Sequence, residues 1–414
     1  MEYQKPKGME DYYPEEMDVR NRVFDSLGDI ARKYNFKEVS SPVMESFELL
    51  SKKEGEEIRK QIFTLEKRGD EQLGLRFDLT VPNVRMFIEK QKSMPKPVKW
   101  FSLERMWRYE QPQKGRQREF YQFNAEIFGS AKPDADAEIV SLAIEALLSL
   151  GLKENDFRVY INNRKLLEGL LEDILDKGDI PKVIQLIDKK NKVSKEEFEK
   201  ELKKLEPKGK VEKISSLLDS SIAQLKKLKI NDNARQGLNE LEQVISLVKY
   251  RNIVFSLSTA RGLAYYTGTV FEIFDREGKF RSVAGGGRYD NLVKLFDGQD
   301  TPATGFAMGY AVLRLLLEEK KLLPKPSLEP DYYVAIVNEE VKKKAREIVS
   351  KLREKYVVET DLTGRNLGNQ LQYAGSIGAK KVVIVGPKDL KEKKVTVRDM
   401  GSGKEAKVLL SKIL

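Results

Sequence analysis

Three prolines fall within eight residues at 323–330, LPKPSLEP, and neither a helix interior nor a central strand accommodates that spacing. The segment reads as a linker, and the chain must divide there. At 414 residues it is in any case too long for one ordinary domain. Beyond the linker, DYYVAIV, YVVETDL, KKVVIVG and KVTVRDM read as strands. Residues 339–354 and 366–376 read as helices, and about 404–414 as a short closing helix. That alternation predicts a separate small α/β domain over 331–414.

Upstream, Val19, Val23, Leu27, Ile30 and Tyr34 recur every three or four residues, as on an amphipathic helix. A short β-prone piece at 37–41 precedes Pro42. Segments 98–109 and 118–129 are aromatic and β-prone, and the Pro, Gly and basic residues of 110–117 read as a flexible loop between two strands. A helix is predicted over about 134–150, with Asp134, Asp136 and Glu138 complementing its dipole and Gly151 ending it.

Residues 165–249 look all-helical, with Phe198, Leu202 and Leu205 on one face. The lysines of 189–210 alternate with glutamates, so both a solvated face and an RNA-backbone contact stay open. Strand-like sequence then returns in IVFSLS, YYTGTVFEIF and FRSVAGGGRYDNL, with a helix expected near 304–320. Strands on both sides of the helical block could complete one sheet. The expected class is therefore α/β, built as an α+β domain over 1–164 and 250–322 with 165–249 inserted.

The chain has no Cys and no His. That excludes thiolate and imidazole metal sites, cysteine nucleophiles and Ser-His-Asp catalysis. A metal would have to sit on carboxylates and phosphate oxygens, which points to Mg²⁺. Chemistry must run on Arg, Lys, acids, Tyr, amides and backbone. Lys and Arg outnumber Asp and Glu by 75 to 65, and the net charge of +10 permits a polyanionic partner. No apolar run is long enough to span a membrane and no signal-peptide core is visible, so a cytoplasmic protein is expected.

Three clusters concentrate the chemistry. In the first, alternation on a strand puts Arg118, Phe120, Gln122 and Glu126 on one face. A guanidinium, a ring, an amide and a carboxylate suit a nucleotide with a small polar ligand, and an ordinary solvent-facing hairpin remains the alternative. The second is TARGLAYYTGTVFE, where Arg261-Gly262 precedes a strand and one of the adjacent Tyr265 and Tyr266 is expected to line a site while the other packs. The third is AGGGRYD, whose three glycines weaken a strand unless a ligand or another backbone must come close; a flexible turn is the plainer reading. It lacks the endings of a Walker or Rossmann loop.

Together these segments resemble the histidyl-tRNA synthetases, a class II aminoacyl-tRNA synthetase family, over nearly the whole chain. EVSSPVME at 38–45 resembles the motif 1 strand, with Pro42 at a homodimer interface. WRYEQPQKGRQREFYQFNAEIFG resembles motif 2, and ATGFAMGYAVLRL stands where motif 3 should be. ARGLAYYTGTVFE and AGGGRYDNL are similar to the two histidine-specific segments.

The resemblance implies a histidine–tRNA ligase using L-histidine, ATP with Mg²⁺, and tRNA(His). By position, Asp78, Thr80 and Gln122 would hold the α-amino group. Glu126 and Tyr266 would read the imidazole, with Tyr265 and Tyr289 near the pocket. Arg108 and Arg261 would act at the α-phosphate, and Phe120 would stack on adenine among the ATP-binding residues Glu110, Arg118 and Arg314. Gln111, Gln113, Lys114 and Arg116 would reach the tRNA acceptor end, and 331–414 would bind the anticodon. Two positions depart from the family. Ala264 replaces an Asp, and Val312 stands where motif 3 carries an Arg; Arg314 lies two residues on, rotated by roughly 200° on a helix. The competing expectations are a histidine-binding regulatory subunit of ATP phosphoribosyltransferase and a class II ligase for threonine, proline or glycine.

Overall fold

Strand-forming sequence on either side of the helical block meets in a single sheet. The computed structural model describes residues 3–52, 59–67, 69–190, 193–205, 208–261 and 265–413. In chain order the strands of the larger part are β1 (Lys37–Glu38), β2 (Met44–Ser46), β3 (Leu73–Leu75), β4 (Val98–Trp107), β5 (Glu119–Phe128), β6 (Phe157–Asn163), β7 (Ile253–Phe255), β8 (Thr269–Asp275), β9 (Ala284–Arg288) and β10 (Ala303–Gly309). Eight of them form one sheet in the order β1-β4-β5-β10-β9-β8-β6-β7, and β2 pairs with β3 in a ribbon. The sheet is antiparallel apart from the β1–β4 and β6–β7 pairs. Because β5 pairs with β10, residues separated by the whole helical block lie side by side.

The chain divides into two compact units, Met1–Tyr12 with Val19–Pro324, and Tyr13–Asp18 with Lys325–Leu414. In the first, helix Pro133–Ser149 buries Ile139, Val140, Leu142, Ala143, Ala146 and Leu147 in the same core as Phe123, Ile127 and Phe306 of the sheet. Each such leucine contributes about 1.5–3 kcal/mol relative to exposure. The helix stops at Gly151, whose φ of +88° suits a residue without a side chain. Its Asp136 stands in the first turn as expected, and it is also buried and paired with Arg288 of β9 at 2.9 Å. In the helical block Phe198 and Leu202 are buried as predicted, but Leu205 is exposed, one turn beyond the packed face.

The first residues of one helix expected from the sequence form a strand instead. Ala303–Gly309 was expected within a helix over 304–320, yet it pairs on both edges as β10, and the helix begins only at Tyr310. A central strand buried on both sides reads as a continuous apolar run, which periodicity cannot separate from a buried helix. The glycine triplet 285–287 is neither a turn nor a break but the middle of β9.

The second unit carries β11 (Tyr332–Ile336), β12 (Val358–Thr360), β13 (Lys381–Val385), β14 (Lys394–Asp399) and β15 (Glu405–Leu409), in the order β12-β11-β13-β14-β15. Helices Lys342–Leu352 and Leu367–Ser376 pack on it. The closing helix is shorter than expected, Leu410–Ile413, because 405–409 folds back on β14 through a turn at Gly403 (φ +69°). Among the described residues, no helix is long and apolar enough to cross a membrane.

Candidate active site

On β5 the side chains alternate, so Phe120, Gln122 and Asn124 face one cavity of about 820 Å³. Asp78, Thr80, Arg108, Glu110, Arg116, Arg261, Tyr265, Tyr266, Glu272 and Tyr289 also line it, bringing together most of the residues the sequence singled out. Gln185, Asp188 and Lys189 of the helical block reach it as well; of these only Lys189 lies in a stretch the sequence marks, the lysine run 189–210, and nothing in the pattern points to Gln185 or Asp188. Asn124 was also missed, although it sits between Gln122 and Glu126 on the same strand face. It is 3% exposed, and its side-chain oxygen has no hydrogen-bond partner; the same holds for the Gln122 oxygen. Unmet buried acceptors are costly, so both invite a ligand with N–H donors.

Two guanidiniums approach the cavity from different elements. Arg108, just beyond β4, donates from Nε to the carbonyl of Phe77 at 2.9 Å and lies 5.3 Å over the Phe120 ring. The Phe77 anchor ties it to Asp78, whose carboxylate accepts from the N–H of Val81 at the start of helix Thr80–Lys90. Arg261 adopts φ +41°, sits 3.8 Å from Glu272 and lies 5.5 Å over Tyr266. Burial opposes its charge, but the negative character of Tyr266, Glu272 and Tyr265 outweighs that and lifts its pKa above the ordinary value. The two cations can therefore bracket an anionic reacting centre.

At the closed end, Tyr265 and Tyr266 both line the cavity, with ring centroids 4.5 Å apart and hydroxyls 3.4 Å apart. One was expected to pack away from the site. They precede β8, so strand alternation does not separate them. Tyr289 is 2% exposed, and burial, reinforced by Glu126, holds its pKa well above the ordinary value, keeping its hydroxyl protonated. Glu126 is not on the cavity surface as expected but one layer behind it, 1% exposed, accepting from Asn83 Nδ2 at 2.8 Å. Gly305 makes this possible: a Cβ there would stand 2.7 Å from Glu126 and 3.1 Å from the Tyr289 hydroxyl.

The loop 110–117 closes the other end. Glu110 and Arg116 form an ion pair, and backbone bonds between Gln113 and Arg116 leave Lys114 and Gly115 at the tip. Gly115 has φ +74°, and its Cβ position lies 3.2 Å from Val312 Cγ2. Arg118 is outside the cavity; it donates to the Glu110 carbonyl at 3.0 Å and stacks on Tyr109, pinning the loop's root. Arg314 also falls outside, paired with Glu318 one turn on at 2.9 Å. Its helix carries Val312 to the cavity, and two further residues turn the side chain away. Gln111, Gln113 and Lys114 do not line the cavity, and Pro42 is exposed elsewhere on the unit. Ala264 lies outside the described residues.

A family model described as histidyl-tRNA synthetase matches residues 8–313, and one described as anticodon binding domain matches residues 331–414. The chain is 41% identical to a histidine–tRNA ligase of Haloarcula marismortui, covering 99% of this chain and 96% of that protein. It is 40% identical to one of Halobacterium salinarum, covering 97% and 95%. The crystal structure of a Nostoc histidyl-tRNA synthetase superposes with a TM-score of 0.82 at 25% identity, covering 100% and 99%. With a family model covering most of its length and full-length relatives at this identity, the chain belongs to the histidyl-tRNA synthetase family.

Proposed function

We propose that this protein is a class II histidine–tRNA ligase working in the cytoplasm. A carboxylate oxygen of histidine attacks the α-phosphorus of ATP, the bond to the bridging β-oxygen breaks, and pyrophosphate leaves. A ribose hydroxyl at the end of tRNA(His) then takes the histidyl group from the adenylate, releasing AMP. The first step needs alignment and charge neutralisation more than a proton-transferring base. One observation carries the reading: Arg108 and Arg261 line the same cavity as the unpartnered Gln122 oxygen.

In this reading Gln122, Asp78 and Thr80 hold the ammonium group, and Phe120 stacks on adenine. Tyr266 takes one imidazole nitrogen, and Glu126 with Tyr289 forms the floor for the other. A ligand without ring N–H groups leaves these acceptors unmet, which supports discrimination. No group of three acidic residues stands ready to hold a metal among the described residues, so the donor set fits only Mg²⁺ that arrives on the phosphate oxygens of ATP. Bound there, it would supply charge neutralisation.

Residues 1–164 with 250–322 would form the catalytic domain, 165–249 its insertion, 323–330 a linker and 331–414 the anticodon-binding domain. A homodimer would form about the exposed segment Pro42–Met44, and Gln111, Gln113, Lys114 and Arg116 would meet the acceptor end. The regulatory-subunit reading is the weaker one, since relatives named as ligases align over the full length, the C-terminal part included. Purified protein should exchange labelled pyrophosphate into ATP only when histidine is present. Absence of exchange at saturating ATP rejects the ligase reading.

A further inference from the structure

We infer that Arg281 is the cation that grips the outer phosphates of ATP and the departing pyrophosphate. The inference rests on the reading that this cavity receives ATP.

Five cationic side chains line it: Arg108, Arg116, Lys189, Arg261 and Arg281. Three are engaged. Arg108 is anchored on the Phe77 carbonyl, Arg116 is paired with Glu110, and Arg261 stands beside Glu272. Among the described residues, Arg281 and Lys189 have neither an ion pair nor a side-chain hydrogen bond. Lys189 adjoins Asp188, whose charge acts on Arg261, which groups this pair with the Arg261 side of the cavity. Arg281 has no acidic chain neighbour closer than Glu277.

Its position sets which part of the nucleotide it can meet. The N–H of Gly309 donates to the carbonyl of Val283 at 3.2 Å, and Met308 pairs with Ala284. The segment 281–283 therefore lies against the start of helix Tyr310–Glu319, whose first turn has no side-chain cap. On the other side the loop tip closes in, with Lys114 Nζ 5.8 Å from the ring of Phe280, the residue before Arg281. Between them the wall is Val312, packed beneath Gly115, and it offers no charge. This end of the cavity thus combines uncapped helix N–H groups, an apolar floor and one exposed, unengaged guanidinium.

A guanidinium stays charged at any working pH, and its fork of donors matches two phosphate oxygens at once. Arg108 and Arg261 flank the residues that hold the amino acid, so the α-phosphate belongs with them. Arg281, exposed at the rim, meets the β- and γ-phosphates that point outward. Negative charge grows there as the α–β bridge breaks, which makes Arg281 a contributor to the transition state as well as to binding.

The test compares nucleotides by calorimetry on the full chain. For Arg281→Ala, ATP should bind about 10- to 100-fold more weakly, the range expected for losing charge-assisted hydrogen bonds. AMP, which lacks the outer phosphates, should bind as it does to wild type, and Arg281→Lys should fall between. Equal weakening of ATP and AMP, unchanged ATP binding, or a wild-type chain that binds ATP no more tightly than AMP overturns the inference. So does a variant whose defect is confined to tRNA affinity, which would place Arg281 on a nucleic-acid phosphate instead. If the wild-type chain binds ATP but exchanges no pyrophosphate, the ligase reading fails while the nucleotide comparison still decides on Arg281.

Discussion

The guanidinium of Arg261 occupies the place where a side chain at Gly285 would begin: its Nη1 falls within bonding range of the Cβ position, and its Cζ within 2.9 Å. The middle strand of the sheet is thus stripped to backbone so that a buried cation can lie across it. Gly286 and Gly287 are equally constrained, by the Gly305 carbonyl and the Thr269 carbonyl of the two flanking strands. Gly285→Ala should therefore act as a catalytic mutation. The Arg261 side chain must leave its position beside Glu272, and histidine-dependent pyrophosphate exchange should fall by about 100-fold or more, in line with losing one transition-state donor. The melting temperature reports on the alternative. A variant that loses activity only in proportion to unfolding would show that Arg261 can be displaced at no catalytic cost.

Histidine recognition should separate from ATP binding along β5. Glu126→Gln removes the charge behind the imidazole end while keeping the shape, and Asn124→Ala removes an acceptor that has no partner in the protein. We expect KM for histidine to rise by about 10- to 100-fold for the first and about 10-fold for the second, from loss of hydrogen bonds to a charged and a neutral group. KM for ATP should stay within twofold in both. An equal rise in both KM values would mean that the variants disturb the sheet and not the amino-acid pocket.

The segment Pro42–Met44 offers a test of assembly. Val43 and Met44 are 41% and 51% exposed, and they are held from behind by Arg76, which is 3% exposed. Its Nη1 donates to the Ser41 carbonyl at 2.5 Å and to the Ser41 hydroxyl at 3.0 Å, while its Nη2 pairs with Glu104. A rigidly presented apolar surface suits a partner better than solvent. Val43→Asp should shift the protein from dimer to monomer in sedimentation velocity at micromolar concentration. A wild-type chain that is monomeric throughout that range would remove the dimer from the proposal.

How far the sequence disclosed this molecule depends on the range of the interaction that places each residue. Alternation along 118–129 was enough to bring Phe120 and Gln122 to one face, because that pattern is local. The same reasoning misplaced Glu126, because depth behind Gly305 is set by β10, about 180 residues away in the chain. It erred on Tyr265 because alternation was applied to residues that lie just outside a strand. Continuous apolar sequence hid β10 as a helix, and the hairpin return hid β15 at the C-terminal end. Gln185 and Asp188 were invisible for a different reason: no local pattern records that helices within 165–249 reach a cavity lined by strands on either side of them in sequence. Arg281 escaped because it belongs to a connection between strands, where only the pairing of Gly309 with Val283 shows what lies beside it.

Arg288 and Asp136 form a salt bridge in which both side chains are under 6% exposed. Arg288 also donates to Asp290 at 3.0 Å and to the carbonyls of Ser130 and Lys132 at 2.8 and 3.0 Å, so it ties β9 to the start of helix Pro133–Ser149. Burial pushes Asp136 up to about 6 from 3.8, even though Arg288 pulls it down. A carboxyl whose pKa is raised on folding favours the folded state most when protonated, and that benefit is lost as pH climbs through the folded value. Arg288→Met removes the pull and strands the carboxylate, at a cost of about 3–5 kcal/mol near neutral pH. Protonation relieves that cost, so the loss of melting temperature relative to wild type should be large at pH 8 and distinctly smaller at pH 5. Melts of both proteins at the two pH values decide the matter. Equal deficits would mean that the variant's instability comes from lost packing and from the orphaned carbonyls, and that Asp136 is not the group left charged in the core.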